Sequence, residues 1–329
     1  MSVTVARSAP VGSAHDARQR VGFIVGPTGS GKSALALALA ERIGAEIVNC
    51  DSRQVYRGMD IGTAKPSADE LRRVAHHLID IRVPDDPLDA ATFAALARKS
   101  IAEIVSRKRL PLVVGGSGLY LRALRGGLFA GPPASRELRD EFAAVAAEHG
   151  VPTLHQELGA VDPAAASRIG RNDLHRIIRA LEVHQLTGEP ISRLQVRHGF
   201  ADSPYQSLVV AIALDRKELY TSIDRRFDAM MRAGFLDEVR TLLAAGYSPA
   251  KAPLCTIGYK HLASVIRGQM ALDDAVALAK RDTRRFAKRQ LTWFRRESDI
   301  LWLEPGRALQ QGARLFEDFF STGASAASG

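Results

Sequence analysis

Eight residues, Gly26-Pro27-Thr28-Gly29-Ser30-Gly31-Lys32-Ser33, have the types and spacing for phosphate chemistry. Glycines let such a loop turn its backbone N–H groups inward around phosphate oxygens, Lys32 reaches the terminal phosphates, and the Ser33 hydroxyl is a ligand for Mg²⁺. The loop follows the apolar run Val21 to Val25 and opens the Ala/Leu-rich stretch Ala34 to Ala40, so the order is strand, glycine loop, helix. The helix N-terminus adds a partial positive charge. An ordinary glycine-rich turn leaves Lys32 unexplained. The loop alone leaves open whether the phosphates belong to a nucleotide or to another pyrophosphate ester.

A second chemical group follows at the end of the next apolar strand, Ile47-Val48, which runs into Asn49-Cys50-Asp51-Ser52. The carboxyl ends of strands in an open α/β sheet face the ligand crevice, which places Asp51 beside the phosphate loop. Asp51 to Tyr56 and Met59 to Pro66 form a polar stretch punctuated by Gly and Pro, too long for an idle turn. His76-His77 opens another short strand and reads as structural, because adjacent strand residues face opposite sides. Leu110 to Val114 reads as a buried parallel strand that leads into a second glycine turn, Gly115 to Tyr120. Where many phosphate-loop ATPases carry a Mg²⁺-organising Asp, this strand continues into Gly115, which argues against an ATPase.

These elements imply an α/β fold with a phosphate-loop NTPase-like core, a parallel sheet flanked by helices, and an all-helical insertion domain. The 329 residues, 46 % hydrophobic, suffice for a sizeable core. From Gly131 to about Pro204 strand signals give way to helical ones at 135–149, 153–159, 163–169 and 173–187. The expected layout is a core over 21–130 and 205–320, a helical insertion over 131–204, and flexible tails at 1–20 and 321–329. No apolar run approaches a membrane span and the start lacks a secretory core, so a cytoplasmic protein is expected. Cys50 and Cys255 are the only cysteines, in no metal-ligand spacing.

The net charge of +9 and pI near 9.8 favour a polyanionic partner. The charge concentrates in Lys280 to Arg296, with eight basic residues against the single acid Asp282. As a helix this segment aligns Arg281, Arg284, Arg285, Lys288, Thr292 and Arg295 on one broad face, with Phe286, Trp293 and Phe294 offering apolar or stacking surface. So many like charges repel without a counter-ligand, which favours nucleic acid over a merely solvated face.

Longer motifs then carry a resemblance: GPTGSGKS at 26–33, DSRQVY at 51–56, DIGTAKP at 60–66, HHLID at 76–80, GGSGLYLRAL at 115–124, NDLHRIIRALEV at 172–183, IGYK at 257–260 and AKRQLTWFR at 287–295. From about Val21 to Leu303 the chain resembles the bacterial tRNA dimethylallyltransferases, also called isopentenyl-diphosphate:tRNA transferases. The resemblance implies transfer of a dimethylallyl group from dimethylallyl diphosphate to N6 of the adenosine at tRNA position 37. The phosphate loop Gly26, Pro27, Thr28, Gly29, Ser30, Gly31, Lys32 and Ser33 then holds a prenyl diphosphate, with Mg²⁺ near Ser33 and Arg226 as a further diphosphate ligand. It implies Asp51 as general base, with Lys32 and Ser117 also in the catalytic set.

Asp51, Ser52, Arg53 and Gln54 would meet the target adenosine, and Ser117 and Arg139 correspond to tRNA-contacting positions. Three runs would touch the anticodon stem-loop: His175, Arg176, Ile177, Ile178 and Arg179; Cys255, Thr256, Ile257, Gly258, Tyr259 and Lys260; and Lys288, Arg289, Gln290, Leu291, Thr292, Trp293, Phe294 and Arg295. The family usually has Thr where this chain has Ser117, and no zinc-finger spacing like that of eukaryotic relatives is present. A monomer is expected. Two other classes stay open on the residues alone. A small-molecule kinase would use the same loop, ATP included, but leaves the basic 280–296 face unexplained. A non-catalytic RNA-binding switch leaves Asp51 unexplained.

Overall fold

A strand covered on both faces must be apolar without alternation, and Val21 to Val25 lies at the middle of a parallel sheet in the computed structural model. The structure describes residues 18–129, 131–199, 204–250 and 253–321. In chain order the elements are β1 (Gln19–Val25), α1 (Lys32–Ile43), β2 (Ala45–Asn49), α2 (Ala68–Arg73), β3 (His76–His77), α3 (Ala90–Ser106), β4 (Leu110–Gly115) and α4 (Gly118–Gly126). Next come α5 (Arg136–His149), α6 (Val151–Val161), α7 (Pro163–Ala166), α8 (Leu174–Thr187) and α9 (Ile191–His198). The chain closes with β5 (Tyr205–Ile212), α10 (Arg216–Arg232), α11 (Phe235–Ala244), α12 (Tyr259–Ile266), α13 (Leu272–Phe294), β6 (Ile300–Leu303) and α14 (Ala308–Ser321).

The sheet order is β3-β2-β4-β1-β5-β6, with every pairing parallel. β1 pairs β4 on one side (Val25 opposite Gly115) and β5 on the other (Val25 opposite Ala211). β1 connects to β2 on one side while its neighbour β4 connects to β5 on the other, so the carboxyl ends of β1 and β4 form a topological switch point where a crevice opens. The glycine loop sits there. α1 and α14 cover one face, and Leu39, Leu112, Val210 and Phe316 share that core. Gly44, left-handed at φ 68°, ends α1 with its N–H on the Ala40 carbonyl and turns the chain into β2.

The chain folds as two compact units, one holding residues up to Arg125 and from Pro204 onward, the other Gly126–Ser203. The second unit is all helical and has its own core, with Leu154, Leu158, Ile177, Leu181 and Val183 buried together. Its helices include α9, beyond the four segments that periodicity picked out.

Of the expected tails, residues 1–17 and 322–329 lie outside the described residues. The tail boundary at residue 20 is corrected: Gln19 and Arg20 pair with Tyr205 and Gln206 in the β1–β5 ladder, and Arg20 donates from Nε to Gln206 Oε1 at 2.8 Å and from Nη1 to the Phe319 carbonyl at 2.7 Å. Polar residues extend a strand when a neighbour supplies the ladder, which no local pattern reveals. Ser321 likewise belongs to α14.

Candidate active site

Glycine is required in the loop for a specific reason. Gly29 has φ +82°, and a Cβ there would lie 2.7 Å from the Ile223 side chain of α10, so the bare loop backbone packs directly on that side chain. The contact is reinforced by hydrogen bonds: Ser222 Oγ donates to the Gly29 carbonyl at 2.8 Å, and Arg226 Nη2 donates to Thr28 Oγ1. From the other side Gln290 of α13 accepts from the Thr28 N–H at 2.9 Å and donates from Nε2 to the Gly116 carbonyl at 2.9 Å. One amide therefore clamps the phosphate loop to the turn after β4.

Asp51 follows β2, where its N–H donates to Asn49 Oδ1 at 3.2 Å and its Oδ1 accepts the Arg53 N–H at 2.8 Å. This turn holds the carboxylate at the strand end. Ser117 Oγ accepts the Ser52 N–H at 3.0 Å, so the hydroxyl buttresses the Asp51 turn while lining the same cavity. Gln54 points back along its own loop, donating from Nε2 to the carbonyls of Thr63 (3.2 Å) and Ala64 (3.0 Å).

Position 115 has a steric explanation. A Cβ on Gly115 would sit 2.0 Å from the Cys50 carbonyl oxygen, because Cys50 N–H bonds the Val114 carbonyl at 2.7 Å where β2 and β4 converge. A carboxylate cannot stand there. The paired histidines are structural too, with His76 Nδ1 2.8 Å from the Val74 carbonyl and His77 Nε2 2.7 Å from Glu46 Oε2. Among the described residues no three His, Cys, Asp or Glu form a metal-binding group.

A cavity of about 210 Å³ gathers the pieces, with Thr28, Lys32, Asp51 and Arg226 on its polar side and Ile223, Phe227, Met230, Ile257 and Phe286 on its apolar side. A smaller recess beside it, lined by Ser33, Asp51 and Gln54, has a volume of about 60 Å³. Burial lowers the Lys32 ammonium to about 8; the Asp51 charge opposes that shift and the Arg226 charge adds to it. Arg226 is pulled below its usual value by burial, and Asp51 again opposes. Both cations would be better stabilised with an anion present. Burial pushes the Cys50 thiol well up, so it is no nucleophile.

The three runs expected to face RNA divide sharply. Ile177, Ile178, Tyr259 and Phe294 are buried, at 0, 8, 0 and 1 % exposure, so a direct RNA contact by these side chains is corrected to packing. Gly258, also buried, approaches the Phe235 ring so closely that a Cβ would lie 2.9 Å away. Gln290 is committed to the loop clamp and Trp293 to Gly118, whose Cβ would lie 2.8 Å from the indole. Thr256 and Ile257 line the cavity itself. His175, Arg176, Cys255, Lys260, Lys288, Arg289, Thr292 and Arg295 are exposed and Leu291 is half-buried. Arg139 and Arg179 both bind the buried Glu182.

The like charges along 280–296 do not all lack a counter-ligand, because acids inside the fold pair with several of them. Lys280 pairs with Asp228 at 2.5 Å, Arg284 with Asp224 at 2.6 Å, and Arg281 with Asp282 at 3.1 Å. Acids on α10 are remote in sequence, and only the folded contact between α10 and α13 reveals them.

Two partly desolvated cations, a carboxylate whose charge acts on both and an apolar wall, all at the switch point of a parallel sheet, place the chain among the phosphate-loop α/β proteins. Within that class the match is narrow: the model for the IPP transferase family matches residues 54–297, and the chain belongs to that family. The tRNA dimethylallyltransferase of Geobacter metallireducens is 50 % identical over 88 % of this chain and 94 % of its own length. At 52 % identity, tRNA dimethylallyltransferase 1 of Citrifermentans bemidjiense matches over 88 % and 95 %. The crystal structure of the tRNA isopentenylpyrophosphate transferase from Bacillus halodurans superposes with a TM-score of 0.70 at 36 % identity, over 95 % of this chain and all of that one. A eukaryotic dimethylallyltransferase captured acting on tRNA gives 0.78 at 26 % identity, over 92 % and 80 %.

Proposed function

We propose that this enzyme transfers a dimethylallyl group from dimethylallyl diphosphate to N6 of adenosine 37 of tRNA, beside the anticodon, releasing diphosphate. The observation that carries the reading is the cavity in which Lys32 and Arg226 stand beside Asp51 against an apolar wall. The anionic end of the substrate is held by the loop N–H groups, Lys32 and Arg226, and the five-carbon chain lies along Ile223, Phe227 and Met230. As the C1–O bond breaks, negative charge grows on the leaving diphosphate, and the two cations stabilise it as it develops. The N6–C1 bond forms, and the N6 proton, acidic only as that bond forms, passes to the Asp51 carboxylate. Reaching N6 requires the base to leave the anticodon-loop stack, which costs a few kcal/mol and is offset by contacts along the protein.

Hard oxygen donors suit Mg²⁺, and the Ser33 hydroxyl and Asp51 carboxylate line one recess. Among the described residues no cluster of acids would close a cage around the ion, so Ser33 and Asp51 would hold it only together with the substrate, and it would supply neutralisation of the diphosphate charge. The loop has equal chemistry for the phosphates of ATP, although the transfer takes nothing from ATP. The tRNA reaches the exposed side chains of His175, Arg176, Lys260, Lys288 and Arg295 through its anticodon stem-loop. Among the described residues no helix is long and apolar enough to cross a membrane, and we read the enzyme as a cytoplasmic monomer.

Incubation with radiolabelled dimethylallyl diphosphate, bulk tRNA and Mg²⁺, with and without ATP, tests the assignment. Label should enter tRNA and appear as N6-dimethylallyladenosine after nuclease digestion, with or without ATP. Label left wholly in the diphosphate, together with consumption of ATP against a small-molecule acceptor, would return the chain to the kinases.

A further inference from the structure

One carboxylate outside this chemistry collects an unusual number of donors. Glu238 of α11 accepts the N–H groups of Asp60 (2.9 Å) and Ile61 (2.6 Å) on Oε2, and that of Gly62 (3.1 Å) on Oε1, which also accepts the Tyr259 hydroxyl at 2.6 Å. Four donors use all four lone-pair sites of the carboxylate. Burial and the charge of Glu238 push the Tyr259 hydroxyl well up, so it stays a donor. The turn lies flat against aromatic rings: a Cβ on Gly62 would sit 2.2 Å from the Phe235 ring and 2.6 Å from that of Tyr259.

The far end of the same turn is fixed separately. Lys65 Nζ, its side chain 5 % exposed, donates to the Tyr56 carbonyl at 2.8 Å and to Asp80 Oδ1 at 2.5 Å, and pairs with Asp60. Between the two anchors stand Thr63 and Ala64, whose carbonyls receive the Gln54 amide, and Gly62 and Thr63 form part of the cavity wall. Asp60 to Pro66 and Ile257 to Lys260, two stretches singled out in the sequence, thus meet at Glu238.

We propose that Glu238 is a positioning residue for the acceptor base: by holding the 60–62 backbone it fixes the two carbonyls that aim Gln54, and so sets where the base rests over Asp51. This rests on the reading that Asp51 to Gln54 meets the target adenosine. The groups given to the diphosphate, Lys32, Arg226 and the loop N–H groups, make no hydrogen bond to Glu238, so the larger effect falls on the acceptor side.

The test is the Glu238→Gln variant, alone and combined with Gln54→Ala, assayed with tRNA and dimethylallyl diphosphate. A glutamine amide nitrogen cannot accept the backbone N–H groups, so KM and Kd for tRNA should rise about 10- to 100-fold, with Kd for dimethylallyl diphosphate within about twofold of wild type. The double variant should lose much less in kcat/KM than the product of the single losses. Should Glu238→Gln fail to fold, Tyr259→Phe removes one donor of the four and should show the same acceptor-side selectivity at a few-fold scale. Multiplicative losses, or equal weakening of both substrates, would overturn the proposal. Because tRNA Kd is read apart from turnover, a wild-type enzyme that binds tRNA and transfers nothing would sink the reaction assigned, while the coupling of Glu238 to Gln54 is still read in binding.

Discussion

Lys32 is a site residue whose chemistry burial alters strongly. Burial brings its ammonium to about 8, whereas an exposed lysine holds its proton to about 10.4. The sign for the fold follows: between those values the unfolded chain binds the extra proton, so this group's contribution to stability rises with pH there, the reverse of a salt-bridged lysine. For the ligand the sign is opposite. Affinity for dimethylallyl diphosphate should be full below pH 8 and fall above it by up to about tenfold per pH unit, and Lys32→Ala should bind weakly with no step near 8. Titration calorimetry from pH 7 to 9.5 measures this, and a flat wild-type profile would remove Lys32 from the diphosphate site. Asp51 supplies the second expectation. Asp51→Asn keeps shape and some hydrogen bonding but not basicity, so kcat should fall by roughly 10² to 10⁴ with both substrates still bound. Single-turnover rates across Mg²⁺ concentrations separate a lost base, which no metal rescues, from a lost metal ligand, which excess Mg²⁺ restores.

Among the elements, those that present chemistry were legible and those that brace it were not. The strand, glycine loop and helix at 21–40 are local features, and β1, the loop and α1 stand where their pattern placed them. β4 and β6 follow the same rule, as short apolar runs between breakers. Asp51 at the end of β2 was legible because strand ends in such sheets face the crevice. Gln290 was not, since a glutamine in a basic helix carries no signal for a clamp between two loops, and Glu238 is one acid on an ordinary amphipathic helix. Both act through contacts across more than a hundred residues of chain, which periodicity does not register. The α13 face shows the consequence. Arg284 is already neutralised by Asp224, while Lys288 and Arg295 are exposed with no acidic partner among the described residues. Lys288→Ala with Arg295→Ala should therefore reduce the slope of log K for tRNA against log salt by about one to two, and Arg284→Ala should leave it nearly unchanged while lowering thermal stability. Equal slopes for all three proteins would make the face a solvated one.

At the scale of the molecule, the two units have separate cores, the excess positive charge belongs to the sheet unit because acids outnumber Lys and Arg over 126–203, and in the helical unit two arginines converge on one buried acid. Glu182, 0 % exposed, accepts the Ser135 N–H at 2.8 Å, Arg139 through Nε and Nη2 at 2.9 and 3.0 Å, and Arg179 Nη1 at 2.6 Å. Burial works against its charge, but hydrogen bonds from Arg139 and Arg179 outweigh it and hold the carboxyl below the usual range. A depressed carboxyl stabilises the fold fully above the unfolded value near about 4.3, and that contribution is lost as pH falls through the folded one. Removing one partner of a buried pair costs about 3–5 kcal/mol. Arg139 is 45 % exposed and Arg179 31 %, so solvent screens the orphaned cations and Glu182→Gln should cost nearer ~2 kcal/mol. The loss belongs to residues 126–203, where amide hydrogen exchange should accelerate while the sheet keeps its protection. If this unit grips tRNA, the variant should raise KM for tRNA, leave dimethylallyl diphosphate binding intact, and react at the wild-type single-turnover rate once tRNA is saturating. Faster exchange over 126–203 with an unchanged tRNA KM would mean that the helical unit does not hold the substrate, and the grip would fall to the exposed cations of α13 and Lys260.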